Sequence, residues 1–596
     1  MSLLNKASLI QIPSGYKDGT LYSAKPTNGD GDFTFSRGSN LAATRVNSEG
    51  LIEKGRENLL LQSNTFDTTW STVNASVTSG QSGYDGSSDA WLLEKSASAG
   101  YLRQNNASSN LQTYSIYAKS GTLNWVVLES VVIGNAYFDL QNGVVGNASA
   151  SLIDKNIDSI GNGWYRVSIT YNATISQVRL FPADSNGSVS GTSGNILIQD
   201  AQLELGLVAT DYIETTTTTE QAGILEDMPR LDYSGGATCP SLLLEPQRTN
   251  SVVHSEYMSS SWWNATQVSV ISNSAISPDG KQNASKIVET ASTSTHLLSS
   301  TFMANQVGVV SVYAKAGERR YATISKNSGG SNYGTATFDL IDGVVTQENK
   351  TATAVPSIED AGNGWYRLSV YFTTSAAGFF SIGLSNSATY TGSTIGFNSY
   401  AGDGTSGAYF WGAQCELNSA SYPTSIIPTY GASVTRSADF SDNNDIVSSP
   451  ISFGANDDFT LFYEGSFDDL SSGFNMIMGG GNQSSGNDYK NYWWLFNATS
   501  IRINGDSEVL MASASMSLTD DTNHKLLVKR DGSTIDFFVD GSKLTTTQST
   551  PNTSFVFRSL GWSYTNSVYK VSGNIKQSLV FNSALTDAEC IQLTTL

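Results

Sequence analysis

Charge is what this chain has least of. Only 14% of its 596 residues are charged, against about 25% in an ordinary soluble protein. The 33 basic and 53 acidic residues leave a formal net charge of −20, which argues against nucleic-acid binding, since a phosphate backbone is held by clustered lysines and arginines. Cysteine is nearly absent. Cys239, Cys415 and Cys590 are far apart and odd in number, so they make no disulfide framework and read as small buried apolar groups in a chain folded in a reducing cytoplasm. The three histidines, His254, His296 and His524, stand in no metal-ligand spacing. Long apolar runs are missing too: "NWVVLESVVIGNAYF" is broken by Glu129, Gly134 and Asn135, short of the ~20 residues that insert into a membrane. The start, "MSLLNKASLIQIPSGYKDG", lacks the apolar block of a signal peptide. A chain made in the cytoplasm and not exported by an encoded signal is therefore expected.

What is abundant is glycine (54 residues) and aromatic side chains (10%). Aromatics at that level exclude a disordered linker protein, because each ring buries a large apolar area. The length asks for three or four domains. The composition points to an all-β chain rich in turns.

Repetition organises it. "GNGWYRVSI" at 161–169 returns as "GNGWYRLSV" at 362–370, 201 residues on. Arg56, Asn58, Ser63 and Trp70 return as Arg248, Asn250, Ser255 and Trp262, each 192 residues on. "YSIYAKSG" (114–121) answers "VSVYAKAG" (310–317), "FDLQNGVV" (138–145) answers "FDLIDGVV" (338–345), and "AQLEL" (201–205) answers "AQCEL" (413–417). Order is kept while the offset grows to 212, so two copies of one domain are predicted, the second carrying insertions. Asn142-Gly143 and Asp342-Gly343 predict tight hairpins with positive φ angles. After each "GNG" turn a strand alternates. Tyr165, Val167 and Ile169 are assigned to the core face, as are Tyr366, Leu368 and Val370. Trp164 and Arg166 share the other face, where the pair is either a sugar platform or a structural stack. Its unchanged retention in both copies favours the stack.

The predicted architecture is tandem antiparallel β-sandwich (jelly-roll) domains behind an extended arm. Residues 1–56 form an N-terminal attachment arm, 57–214 the first sandwich, 215–247 a connector containing the exposed run "ETTTTTEQ", 248–434 the second sandwich, and 435–596 a third of another kind. In the third, Asp531-Gly532 and Asp540-Gly541 mark turns, and Thr586 with Glu589 spells a helix-starting capping box.

The strings "RDGSTIDFFVDGSKL" and "SLVFNSALTDAE" resemble the laminin-G/concanavalin A-like family over roughly 436–596, and the resemblance implies a two-sheet jelly roll. The repeated domains resemble CenC-type carbohydrate-binding modules. The arrangement as a whole, with "DFTFSRGSNLAATRVNSEGLIEKGRENLLLQSN", "PSLLLEPQRTN" and "GNGWYR", resembles phage virion structural proteins. That resemblance implies a protein on the virion surface, bound to other virion proteins through its arm, forming a homo-oligomer, and meeting host surface polysaccharide without membrane insertion. In the same light Asp200, near "DAQLEL", is the candidate calcium ligand, although its counterpart in the second copy is Gly412.

No catalytic set emerges, so the chain is read as a non-enzyme. The E-x-D-x-E string of concanavalin A-like glycosidases does not occur. Asp457-Asp458 and Asp468-Asp469 are adjacent pairs, which on a strand would face opposite ways and are expected in solvated turns. A glycan-cleaving enzyme with two accessory modules is the alternative. Sugar sites need flat aromatic faces, and the candidates are Trp70, Trp91 and Trp125 in the first copy, Trp262 and Trp263 in the second, and Trp493 and Trp494 in "NDYKNYWWLFN" (487–497), where neighbours on a strand must point to opposite faces.

Overall fold

Side chains alternating at a period of two turn the chain into antiparallel β-sheets; strand makes up 52% of the described residues and helix 4%. The computed structural model describes residues 3–595, apart from 18, 36, 38–40, 227, 301–306, 328–331, 349–353, 374–376, 391–395, 418–420, 440–450, 471–473, 480–491, 506–508, 558 and 562–571. The "NDYKN" part of the aromatic string at 487–497 lies outside the described residues.

The two repeats share one strand order. In the first, one sheet runs Asp154–Gly161, Trp164–Asn172, Leu111–Ser120, Gly194–Leu205, Ala90–Lys95, Ala75–Gln81. Its sibling runs Ala354–Asp360, Trp365–Phe372, Gly308–Ala316, Gly407–Leu417, Ala284–Glu289, Val268–Ala275. The facing sheet of the first repeat runs Val144–Ala148, Gly134–Asp139, Trp125–Ser130, Gln177–Ala183, Tyr101–Asn105, Ser71–Val73. Its counterpart runs Val344–Glu348, Asn332–Asp339, Tyr321–Asn327, Phe379–Ser385, Leu297–Ser299, Asn264–Thr266. Between the facing sheets lie the cores. Val167 and Ile169 sit in one, Leu368 and Val370 in the other, while Tyr165 and Tyr366 pack at the rims.

Two local expectations are corrected. In the hairpins only Gly143 and Gly343 take a positive φ, 65° in each. Asn142 and Asp342 do not, because the Asp139 and Asp339 carboxylates accept the amide hydrogens of the two residues that precede each glycine, Gln141 with Asn142 and Ile341 with Asp342. And Arg166 stacks not on Trp164 but on its cross-strand partner Tyr117, 5.2 Å from the ring centroid. Arg367 does the same on Tyr313 at 5.5 Å. The directly opposed residue on the next strand is nearer than i+2 on the same strand. Trp164 and Trp365 are buried.

The third sandwich recruits distant chain. Its larger sheet runs Leu231–Asp232, Ser241–Leu244, Gly573–Phe581, Phe459–Phe467, His524–Asp531, Thr534–Val539, Ser542–Lys543, with Leu9–Gln11 also paired on Gly573–Phe581. The smaller runs Thr546–Gln548, Leu510–Ser515, Ser500–Asn504, Tyr492–Phe496, Phe474–Gly479, Ser559–Leu560. The helix Asp587–Thr594 begins on the capping box of Thr586 and Glu589.

So the segment 1–56, expected to order on a partner, orders on its own chain. Leu9 pairs with Val580, and Leu9, Phe33 and Phe35 are buried in the third core. Thr44 donates to the Ile426 carbonyl at 2.7 Å. Lys54 places its ammonium between Glu256 (2.9 Å) and Asp279 (2.6 Å) in the second repeat. The apolar residues among its polar turns are what dock it. The connector is likewise half absorbed: Thr216–Glu220 are exposed, but 231–232 and 241–244 are sheet. Of the cysteines, Cys415 and Cys590 are buried and Cys239 is exposed, against expectation.

Candidate functional site

The surface with the most unusual chemistry is the outer face of the facing sheet in the first repeat. Leu102, Val126, Leu128, Ala136, Phe138, Val178 and Leu180 point into the core. Their alternate neighbours must therefore point out. Register then builds two rows across the strands. Val127 lies opposite both Phe181 and Tyr137, and the Tyr101 ring meets Phe181 with centroids 4.9 Å apart. Trp125 flanks this row in one cluster with it. One pleat along, Arg103 lies opposite Arg179, Arg179 opposite Glu129, and Glu129 opposite Asn135. The aromatic row and the charged row thus run side by side.

The rows touch. The Arg179 guanidinium sits 5.0 Å from the Tyr101 ring centroid. Its Nε donates to Gln177 Oε1 at 2.6 Å, and its Nη1 lies 3.5 Å from Glu129 Oε2. Burial, with Glu129 nearby, pushes the Tyr137 hydroxyl above its ordinary pKa. Tyr101, Trp125, Arg103, Arg179 and Glu129 are half-buried, while Phe181 and Tyr137 lie beneath them. The result is a packed aromatic patch from which only Tyr101 and Trp125 are partly exposed, with Val189 against it, edged by two cations and one carboxylate; a ligand with an apolar side and a polar edge suits such an edge.

The second repeat lacks this face. Where the first has Tyr101, Phe181, Val127 and Tyr137, the matching register positions are Leu297, Gly383, Thr323 and Thr337. In place of Arg103, Arg179 and Glu129 stand Ser299, Ser381 and Ser325. The small residues make room for a lid: a Cβ on Gly383 would come within 2.5 Å of the Phe397 ring. Phe397 and His296 are both buried there, and Phe397 belongs to the insertion that separates the second copy from the first.

Most of the tryptophans expected as platforms are core residues instead. Trp70, Trp91, Trp263, Trp493 and Trp494 are each at most 6% exposed. Trp70 and Trp91 wedge Phe66 edge-on and donate to the carbonyls of Gln62 and Asn64. Trp263 donates to the His254 carbonyl and packs on Phe380. Trp493 joins the third core, and Trp494, on the opposite face as its parity requires, stacks under Arg502. Only Trp125 and Trp262 of the seven stay half-exposed, and Trp262 spends its ring edge-on against Trp263. Sequence reasoning does not single out Tyr101, Arg103, Arg179 or Phe181. Their shared parity with polar Glu129 and Asn105 on neighbouring strands is the signal that marks the outward face.

Asp200 is a bulge residue. The pairing between Leu111–Ser120 and Gly194–Leu205 slips between Ser115 and Tyr117, and the sibling slips between Ser311 and Tyr313. The bulge demands a left-handed residue, and it is Asp200 (φ 54°) in one copy and Gly412 (φ 64°) in the other. The Asp200 carboxylate accepts the Tyr84 hydroxyl at 2.8 Å. Among the described residues no group of three or more His, Cys, Asp or Glu that could hold a metal ion is found.

Asp457 and Asp458 are exposed, as expected, each accepting a backbone amide hydrogen. Asp469 is buried, against expectation, and burial pushes the Asp468 carboxyl up to about 8 although Ser572 donates to it. A cavity of about 240 Å³ separates the repeats, lined by Lys54, Glu256, Asp279, Leu207 and Tyr430 among others. Lys54 pairs there with both Glu256 and Asp279.

No protein-family model and no curated protein matches the chain. Among solved structures, a Ruminococcus gnavus IT-sialidase CBM40 bound to α2,3-sialyllactose is similar at 17% identity, covering 24% of this chain and 84% of that one, with a TM-score of 0.21. A Trypanosoma rangeli sialidase in complex with 2,3-difluoro-KDN is similar at 10% identity, covering 88% and 93%, with a TM-score of 0.20. Likeness of this size carries no functional argument. The outer face of the first repeat stands on its own geometry.

Proposed function

We propose that the chain is a non-catalytic glycan-binding protein of a virus particle's surface, and that its binding face is the outer sheet face of the first repeat. One observation carries the glycan reading: in two copies that share the strand order of their facing sheets, the first sets half-exposed Tyr101 and Trp125 on the same face as Arg103 and Arg179, while the second has Leu297, Tyr321, Ser299 and Ser381 at the matching places, with Phe397 over Gly383. The virion location rests on the phage-like strings of the sequence.

On a glycan array, Trp125→Ala is expected to weaken binding at least about tenfold, or about 1.4 kcal/mol, with an unchanged melting profile because the indole is half-exposed. Trp493→Ala serves as the contrast: it removes a core side chain and lowers stability. Full binding by a folded Trp125→Ala, Tyr101→Ala double variant rejects this face. Steady release of reducing ends from a bound polysaccharide replaces the binding reading with the enzymatic one. Absence of the chain from the mass spectrum of purified particles removes the virion assignment.

A further inference from the structure

We propose that the face on the first repeat selects sugar acids, its two arginines Arg103 and Arg179 gripping the carboxylate while the half-exposed Tyr101 beside them carries the ring. This inference rests on the reading of that face as glycan-binding and adds the class of glycan.

The argument starts from charge. Like charges directly opposite on neighbouring strands repel, yet Arg103 and Arg179 are such a pair. The chain has 53 acidic residues against 33 basic ones, so counter-ions are not scarce. Even so, a single carboxylate, Glu129, joins the row, and it faces Arg179 at 3.5 Å, on the far side from Arg103. Arg103 itself is the exception among the described arginines. Each of the others has a hydrogen bond or ion pair, as in Arg45 with Glu53, Arg319 with Glu289 and Arg320 with Asp339. The Arg103 guanidinium has none, and its Nε is buried without a partner. A half-buried guanidinium left unpaired beside a second one is costly in the free protein. An anion seated between them removes both costs.

The shape of the anion follows from the neighbouring row. A guanidinium fork matches the two oxygens of a carboxylate. Arg103 stands two residues beyond Tyr101 on one strand, and Arg179 two before Phe181 on the next, so the cation row lies about 7 Å from the ring row. A pyranose laid against the half-exposed Tyr101 would carry its exocyclic carboxylate onto the guanidinium groups. The sibling repeat holds Ser299 and Ser381 at the arginine positions, with their hydroxyls bonded to each other at 2.8 Å. It loses both rows together, as expected if the rows serve one ligand.

The test uses the full chain on an array of hexuronate- and sialate-terminated glycans, each beside its methyl ester, with sulfated glycans as a further arm. The acids are expected to bind at least tenfold more tightly than their esters. R103Q and R179Q are expected to bring that ratio towards one. E129Q, which takes away the competing carboxylate, is expected to raise affinity for the acids, a gain that misfolding cannot mimic. Equal binding of acid and ester overturns the proposal, as does an acid preference untouched by R103Q and R179Q in folded protein. Sulfated glycans bound as tightly as acids, with no loss in Trp125→Ala, would mean general polyanion attraction and also overturn it. If neutral glycans bind and lose binding in Trp125→Ala while acids gain nothing, the glycan-binding face stands and the selectivity falls. If no glycan binds, both fall.

Discussion

Asp439→Ala is expected to cost the fold about 3–5 kcal/mol, read as an earlier transition in chemical denaturation and as tryptic cleavage at Arg37. Asp439 is 1% exposed, and its carboxylate holds two arginines that are fully buried. Oδ1 accepts Arg37 Nη1 at 2.9 Å and Arg230 Nε at 3.0 Å, while Oδ2 pairs with Arg230 Nη2 and accepts the Glu245 amide hydrogen at 2.8 Å. Glu245 closes the network on the other side, with Arg230 at 2.7 Å and Arg436 at 2.8 Å. Burial alone would raise the Glu245 pKa, but Arg436 and Arg230 pull it far below the ordinary carboxylate range. Truncating Asp439 leaves two guanidinium groups short of counter-charge in a place water does not reach. Removing one partner of a buried pair costs much more than the intact pair contributes. The five residues come from the N-terminal segment (Arg37), the stretch before the second repeat (Arg230, Glu245) and the stretch after it (Arg436, Asp439), so the loss is felt where the sandwiches are tied together. Asp439→Asn keeps acceptor and shape without charge and is expected to fall between. An alanine variant that unfolds with the wild type would show that the tie lies elsewhere.

The second large effect has the opposite sign. Burial pushes the Asp200 carboxyl up to about 7; the Tyr84 hydrogen bond works against this, and Asp89 and Asp85 add to it. The folded value lies above the unfolded one of 3.8, so the native state holds the extra proton between the two. Stability is therefore full below about pH 4 and is lost as pH rises towards 7, a cost of up to about 4 kcal/mol at pH 8 from three pKa units at 1.36 kcal/mol each. Asp200→Asn removes the titration. Asparagine tolerates the left-handed bulge as aspartate does and still accepts from Tyr84. The variant is expected to be more stable than the wild type at pH 8 by up to about 4 kcal/mol, and by less than about half of that at pH 5. Denaturant melts of chelator-treated protein across that range decide it. A gain that does not shrink on acidification would place the effect in packing and not in the proton.

Those two sites show how far the sequence could be read. The repeat and the hairpins at Gly143 and Gly343 were legible because each is spelled by residues close along the chain. The helix at Asp587–Thr594 was legible for the same reason, since Thr586 and Glu589 satisfy each other's backbone within one turn. Trp493 and Trp494 could be assigned to opposite faces by parity alone. Parity could not say which face was buried, so it treats the tryptophans as equals although five of the seven are buried. The arginine network was out of reach, since nothing near them along the chain tells that Arg230 and Arg436 share Glu245.

What the chain's letters determined by themselves is its local grammar: alternation, turn chemistry and the duplication of a whole domain. The tertiary structure decided the rest. It chose which of two equivalent faces Phe397 would cover, it folded the first fifty-odd residues back onto distant sandwiches, and it set Arg103 opposite Arg179. Each of these depends on cross-strand register between segments dozens to hundreds of residues apart, where a side chain's partner is fixed by what packs beneath it and not by its neighbours in sequence.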